Sequence, residues 1–257
     1  MSLTTPGRTR SSEFLITANY PEVSAIETLL EATPRPVLIT GCSTELGELG
    51  RTMYEFGGRM GEPYIEEKES SELIQIIRPE ENVAEQSSNS FDVELRLHTE
   101  NPHEALEPDF LLIGCTDNPE QAITLLVNPL EVFLSLNRSI QQRLTEPRFS
   151  TLEAGKFAVA AGRERKPIAI DVPIATESFD GQYDFRVDFE STRADGNWQD
   201  ALDEFEEACR IKAQEILINP GDVLILPNHR AIHGRKKFQT NPSSDERRRL
   251  LRMFVRG

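Results

Sequence analysis

From Leu73 to the C-terminus, apolar residues come in short runs, most of them the length of a single strand and bounded by Gly, Pro, Asn or Asp. No other feature limits the fold as tightly. Such runs are read as strands at 73–77, 93–97, 110–115, 122–127, 168–172, 185–189, 216–218, 223–226 and 250–255. In 93–97, Val93, Leu95 and Leu97 alternate with Glu94 and Arg96, as in a strand buried on one face. Pro220-Gly221-Asp222 is a tight turn, with 223–226 as the return strand after 216–218. Residues 173–184 show little periodicity and read as a mobile loop.

Helical spacing interrupts this pattern in a few places. Leu46, Leu49, Met53 and Phe56 mark a helix that Ser43 or Thr44 caps and Gly57-Gly58 stops, following a strand at 36–40. A shorter helix is expected at 24–31. Asn128-Pro129 opens another, continued by Leu130, Phe133, Leu134, Ile140 and Leu144. The last covers 198–214, with Ala201, Phe205, Ala208 and Cys209 on one face. Many short strands with inserted helices point to a mainly β fold with peripheral helices, built on a jelly-roll or cupin-like core. With no linker or repeat in 257 residues, the expectation is one domain over 13–257 after a disordered lead-in at 1–12.

Composition excludes several function classes. A formal charge of −15 argues against a nucleic-acid partner, which needs clustered Lys and Arg. It suits either a solvated surface or a cationic substrate. No apolar run is long enough to span a membrane, and residues 1–10 lack a signal-peptide core. Cys42, Cys115 and Cys209 are widely spaced and form no CxxC pair, which argues against a disulfide framework or zinc ribbon and for a cytoplasmic location.

Chemistry enters at His98-Thr99-Glu100. Residues i and i+2 of an extended chain point the same way, so the imidazole and the carboxylate share a face. With one distant histidine they form the 2-His-1-carboxylate set of non-haem iron sites. The motif alone carries little weight, because with 4 His and 43 acidic residues an H-x-[DE] arises readily by chance. Both His229 and His233 are available as the distant ligand. Their spacing of four would suit a helical zinc pair, but Pro227 and Gly234 argue against a helix there. The five-residue offset of His103 from His98 fits neither strand nor helix, and it reads as loop polarity.

The residues around these positions are more specific. Glu72-Leu73-Ile74-Gln75, Glu85-Gln86-Ser87-Ser88-Asn89-Ser90, Glu94-Leu95-Arg96-Leu97-His98-Thr99-Glu100-Asn101 and Pro108-Asp109-Phe110 follow in succession. Downstream come Pro220-Gly221-Asp222, Asn228-His229-Arg230, His233-Gly234-Arg235 and Arg248-Arg249-Leu250-Leu251-Arg252-Met253-Phe254-Val255-Arg256. From about Val37 to the C-terminus, this text resembles the clavaminate synthase-like oxygenases. They are a branch of the iron(II)/2-oxoglutarate-dependent oxygenases that includes amino-acid hydroxylases.

The resemblance implies a double-stranded β-helix with His98, Glu100 and His233 on iron(II), leaving three positions for 2-oxoglutarate and dioxygen. It implies that Arg248 binds the far carboxylate of 2-oxoglutarate, a match for the planar guanidinium fork, with Thr124 assisting. Arg252, of the same strand parity as Arg248, becomes a second anchor for cofactor or substrate carboxylate. Without the resemblance, the Arg-rich segment reads as a basic edge strand. Asp188 and Glu190 match the segment that holds a substrate amine or side chain, and Gln86 the loop that contacts the amino-acid backbone. Asn228 and Arg230 are expected to shape the loop carrying His233. The implied activity is hydroxylation of an unactivated C–H bond of a free amino acid, such as arginine or lysine, or of a small amine-bearing metabolite, with release of succinate and CO2. Desaturation or ring closure from the same chemistry, or a non-catalytic cupin-like binding protein, are the alternatives.

Overall fold

The computed structural model describes residues 14–20, 35–66, 70–81, 87–155, 158, 162–179, 181–241 and 243–257. The helix expected at 24–31, the lead-in at 1–12 and Gln86 lie outside them. The described chain is mostly β. Its strands are β1 Ile16–Asn19, β2 Val37–Thr40, β3 Glu62–Tyr64, β4 Gln75–Ile77, β5 Leu95–His98, β6 Phe110–Asp117, β7 Ile123–Val127 and β8 Phe149–Leu152. They continue with β9 Pro167–Val172, β10 Ala175–Glu177, β11 Tyr183–Phe185, β12 Thr192–Arg193, β13 Gln214–Leu217, β14 Val223–Pro227, β15 Ile232–Arg235 and β16 Arg249–Arg256. The main helices are α1 Leu46–Met60, α2 Pro129–Ser135, α3 Arg138–Thr145 and α4 Asn197–Lys212. Among the described residues, no helix is long and apolar enough to cross a membrane.

Two sheets position the site. A seven-stranded sheet runs β1-β2-β14-β6-β16-β3, with β4 also paired to β16, and a four-stranded sheet runs β13-β7-β15-β5. Strand parity divides their side chains into layers. Leu111, Ile113 and Cys115 of β6, Leu224 and Leu226 of β14, Leu250 and Phe254 of β16 and Leu126 of β7 form one cluster between the sheets. The alternate residues Leu112, Val223, Ile225, Leu251, Met253 and Val255 pack outward against Leu49, Met53 and Phe56 of α1. On the far side, Leu97, Leu125, Val127 and Ile232 of the four-stranded sheet meet Val132 and Phe133 of α2, Ile140 and Leu144 of α3 and Phe205 of α4.

Several expectations need correction. The helix from Asn128 is two helices: α2 ends before Asn137, whose side chain accepts from Ile140 N at 3.0 Å and caps α3, leaving Leu134 exposed. α1 runs through Gly57 and ends at Gly61; it has no side-chain cap from Ser43 or Thr44. Gly57 serves close packing rather than termination, since a Cβ there would stand 2.5 Å from Met253 Cε. Residues 173–184 are not an irregular loop but carry β10 and lead into its antiparallel partner β11. The strand expected at 185–189 ends at Phe185, and Asp188 then bridges to His98. The turn at Gly221 (φ 87°) does not close a hairpin, because β13 pairs with β7 while β14 pairs with β2 and β6; it carries the chain from one sheet to the other. β16 is no edge strand, being paired to β6 on one side and to β3 and β4 on the other. All three cysteines are buried and free.

Candidate active site

The last residue of β5 and a residue near the middle of β15 place two imidazoles together. His233 pairs with His98 in the antiparallel register, their ring centroids 4.4 Å apart. A bulge then shifts the pairing so that Arg235 opposes Leu95. Gly234 permits this approach, since a Cβ there would lie 2.7 Å from the Leu95 carbonyl oxygen. Glu100 lies beyond the strand end on the same side as His98, and its Oε2 is 3.7 Å from His98 Nε2 and 3.5 Å from His233 Nε2. His98 Nδ1 lies 2.8 Å from the Arg96 carbonyl, which as acceptor fixes the tautomer that leaves Nε2 free to ligate.

Glu100 is held on every side. Its backbone N donates to Asn228 Oδ1 at 2.7 Å, and Asn228 Nδ2 donates to the carbonyls of Glu100 and Pro108, both at 2.9 Å. Asn228 therefore shapes the Glu100 loop, while Arg230 pairs with Asp184 at 2.7 Å. Glu100 Oε1 accepts from Arg252 Nη1 at 3.1 Å, and Arg252 Nε donates to Gln75 Oε1 at 3.0 Å. Burial alone would raise the Glu100 pKa, but Arg252 and the two histidines outweigh it and hold the carboxyl well below its ordinary value. Burial and then the neighbouring His98 push His233 down to about 4, against the pull of Glu100. A carboxylate and a neutral imidazole are the ligating forms. His98, Glu100 and His233 offer ligand atoms that all lie within 4.8 Å of one another, the one such group of His, Cys, Asp and Glu among the described residues. His229 lies elsewhere, 3.2 Å from Glu107 in a cluster with His103 and Arg186.

The cavity holding this group is also lined by Thr124, Arg235, Arg248 and Arg252 and by Thr151, Asp188 and Glu190. Arg248 is 6% exposed; its guanidinium lies 5.7 Å from the Phe238 ring and has no carboxylate partner among the described residues. Arg235, 2% exposed, lies 4.9 Å from the same ring and donates from Nη2 to Ser90 Oγ at 3.0 Å, while Nε and Nη1 have no partner among the described residues. Burial lowers Arg248 to about 10, and burial followed by the Arg248 charge lowers Arg235 to about 9. Thr124 is directly opposite Arg235 in the sheet.

The acidic residues are arranged differently. Glu190 Oε1 accepts from Arg165 Nη1 at 2.6 Å. Asp188 accepts from the Glu190 backbone N at 2.9 Å and from Ser191 Oγ at 2.7 Å. Sequence reasoning thus assembled the triad, Thr124, Arg248, Arg252, Asp188 and Glu190 in one cavity, and missed Arg235, Gln75 and Thr151. Arg235 was findable, because it is two residues beyond His233 and shares its parity.

Residues 19–254 match the taurine catabolism dioxygenase TauD, TfdA family. The chain is 30% identical over 180 residues to an L-lysine 3-hydroxylase of Catenulispora acidiphila, covering 66% of this chain and 48% of that protein. It is 24% identical over 187 residues to an L-ornithine/L-arginine 3-hydroxylase of the same organism, covering 63% and 53%. It spans about half the length of these curated relatives. Among solved structures, asparagine oxygenase in complex with Fe(II), 2S,3S-3-hydroxyasparagine and succinate superposes with a TM-score of 0.78 at 20% identity, covering 91% of this chain and 79% of that one. The non-haem iron oxygenase OrfP in complex with Fe and α-ketoglutaric acid superposes with a TM-score of 0.77 at 21% identity, covering 92% and 80%.

Proposed function

This chain belongs to the taurine catabolism dioxygenase TauD, TfdA family, and from that membership we propose that it is an iron(II)/2-oxoglutarate-dependent hydroxylase of a free basic amino acid. The donor set fits the metal: two imidazole nitrogens and one ionised carboxylate oxygen converge on one point, with His98 already oriented by the Arg96 carbonyl. His98, Glu100 and His233 hold iron(II). Arg248, with Thr124, takes the far carboxylate of 2-oxoglutarate, and Arg235 adds a second positive charge behind it. With 2-oxoglutarate and dioxygen, the metal supplies the oxidising power to hydroxylate an unactivated C–H bond, releasing succinate and CO2.

The remaining residues position and exclude. Arg252 keeps the Glu100 carboxylate in its rotamer through Nη1, is itself fixed by Gln75, and presents its charge to the substrate carboxylate. Asp188 faces the substrate side chain; Glu190, paired to Arg165, contributes less than its charge suggests. The role of Gln86 at the amino-acid backbone stays as the resemblance implies. The apolar layer between the two sheets supports a double-stranded β-helix core, with the cavity opening between the sheets. The lysine and ornithine/arginine hydroxylases among the relatives support a basic amino acid as substrate.

The observation that carries the reading is a pair of buried arginines whose guanidinium groups make no ion pair with a carboxylate among the described residues, in the same cavity as a His/Glu/His triad. The test is succinate release with iron(II), 2-oxoglutarate and a panel of amino acids. Iron-dependent succinate, stimulated by a basic amino acid, is expected. Folded protein that releases none under any condition overturns the proposal.

A further inference from the structure

The wall formed by β8, β9 and the turn at 188–191 contains an unpaired hydroxyl. Thr151 is 1% exposed and lines the cavity together with Leu152, Ile168, Asp188 and Ser191, and its Oγ1 has no hydrogen-bond partner among the described residues. β8 fixes its place, since Thr151 is opposite Thr192 on one side and Ala169 on the other. A buried hydroxyl left unpaired costs stability, and a ligand that meets it removes that cost. We propose that Thr151 and Asp188 together form a subsite for a terminal ammonium, and that this pair selects an ω-amino acid over a guanidino acid. The inference rests on the hydroxylase reading above.

Charge and geometry both favour an ammonium. Glu190 is paired to Arg165, and Arg96, a cation lining this side whose field Asp188 shares, is bound to Glu206 through Nε at 3.1 Å, so Asp188 makes no direct ion pair among the described residues. A guanidinium binds best when both oxygens of one carboxylate are free to face its planar fork. Each Asp188 oxygen already accepts a bond, Oδ1 from the Glu190 backbone N and Oδ2 from Ser191 Oγ, so a planar fork would have to share both oxygens with the turn, whereas an ammonium needs only one. An ammonium is a compact charge with three divergent donors. One N–H takes a remaining Asp188 lone pair and another the Thr151 oxygen.

The experiment is calorimetric titration, under anaerobic conditions, of protein loaded with iron(II) and 2-oxoglutarate. The ligands are L-lysine, L-arginine and L-norleucine, and the proteins are wild type, Thr151→Val and Thr151→Ser. Lysine is expected to bind wild type roughly ten-fold tighter than either competitor. Thr151→Val, which keeps the shape and loses the hydroxyl, is expected to lose most of that preference while its norleucine affinity stays put. Thr151→Ser restores the hydroxyl and the preference. Unchanged lysine affinity in Thr151→Val, or tighter binding of arginine than lysine to wild type, overturns the subsite. Protein that binds 2-oxoglutarate but no amino acid with a lysine preference also overturns it and leaves the hydroxylase reading standing, whereas failure of wild type to bind 2-oxoglutarate defeats that reading itself.

Discussion

The two charged regions of the cavity are built in opposite ways. At the cationic end, Arg248 and Arg235 are both buried against Phe238, no carboxylate forms an ion pair with them among the described residues, and burial lowers both pKa values. At the acidic wall, Glu190 has Arg165, and Asp188 is tied into its own turn. Two desolvated like charges are costly in an empty site, and a dianionic ligand repays that cost only by binding there. An internally compensated wall costs little when empty and discriminates by weaker, directional contacts. One end is arranged for affinity, the other for selection.

The largest effect should come from breaking the cationic end. Arg248→Ala is expected to weaken 2-oxoglutarate binding by about 2–5 kcal/mol, the usual loss when one partner of a buried charge pair is truncated. The readout is titration of the iron(II)-loaded protein, and iron binding itself should be retained. Without ligand the sign reverses: Arg248→Met removes a buried unpaired charge and should raise apo stability by on the order of 1 kcal/mol in urea unfolding. A variant that keeps its 2-oxoglutarate affinity, or loses apo stability, would show that the two ends do not differ as described.

A smaller effect sharpens the other half. Arg165→Gln removes the ion-pair partner of Glu190 and leaves that carboxylate open to the cavity beside Asp188. Binding of basic amino acids should tighten several-fold, with arginine gaining more than lysine because Glu190 then offers the open carboxylate edge that Asp188 lacks. If affinities for basic and neutral amino acids move together, Glu190 does not contribute to the field that the substrate side chain meets.

The two halves were unequally legible in the sequence. Strand parity places Arg252 of β16, with Arg248 just before it, and His98 at the end of β5 inward, and apolar runs mark both strands, whereas β15, which carries His233 and Arg235, is not among the expected strands and its histidine is found through the motif. The acidic wall could not be read this way. Asp188 and Glu190 lie past the end of β11, in a turn where parity fails; Ser191 belongs to that same turn, and Arg165 comes from the segment before β9 with no motif of its own. Thr151 sits in a strand of mixed polarity, FSTL, where nothing marks its hydroxyl as the unpaired one. The sheet-to-sheet step at Gly221 looked like a hairpin because local turn chemistry is the same whether the following strand pairs back or crosses over.

Both ends depend on a common tie, and it gives the smallest effect. Glu107 accepts from Arg186 Nε at 2.8 Å, lies 3.2 Å from His229 Nε2 and takes the His103 backbone N–H. It joins the loop after Glu100 to the segment leading into Asp188 and to the turn before His233. Burial would raise its pKa, but His229 and Arg186 prevail and bring it from 4.5 to about 2. A depressed carboxylate stabilises the fold fully above its unfolded pKa and loses that contribution as pH falls through the folded value. Glu107→Gln should therefore cost on the order of 1 kcal/mol between pH 6 and 8, discounted for its partial exposure. Against wild type, that difference in urea unfolding should shrink below pH 4.5 and vanish near 2. Because Glu107 ties the segment leading into Asp188 to the loop after Glu100, the variant should raise the KM for the amino acid more than that for 2-oxoglutarate. Equal changes in both would place Glu107 in general stability alone and leave the two ends fixed independently of each other.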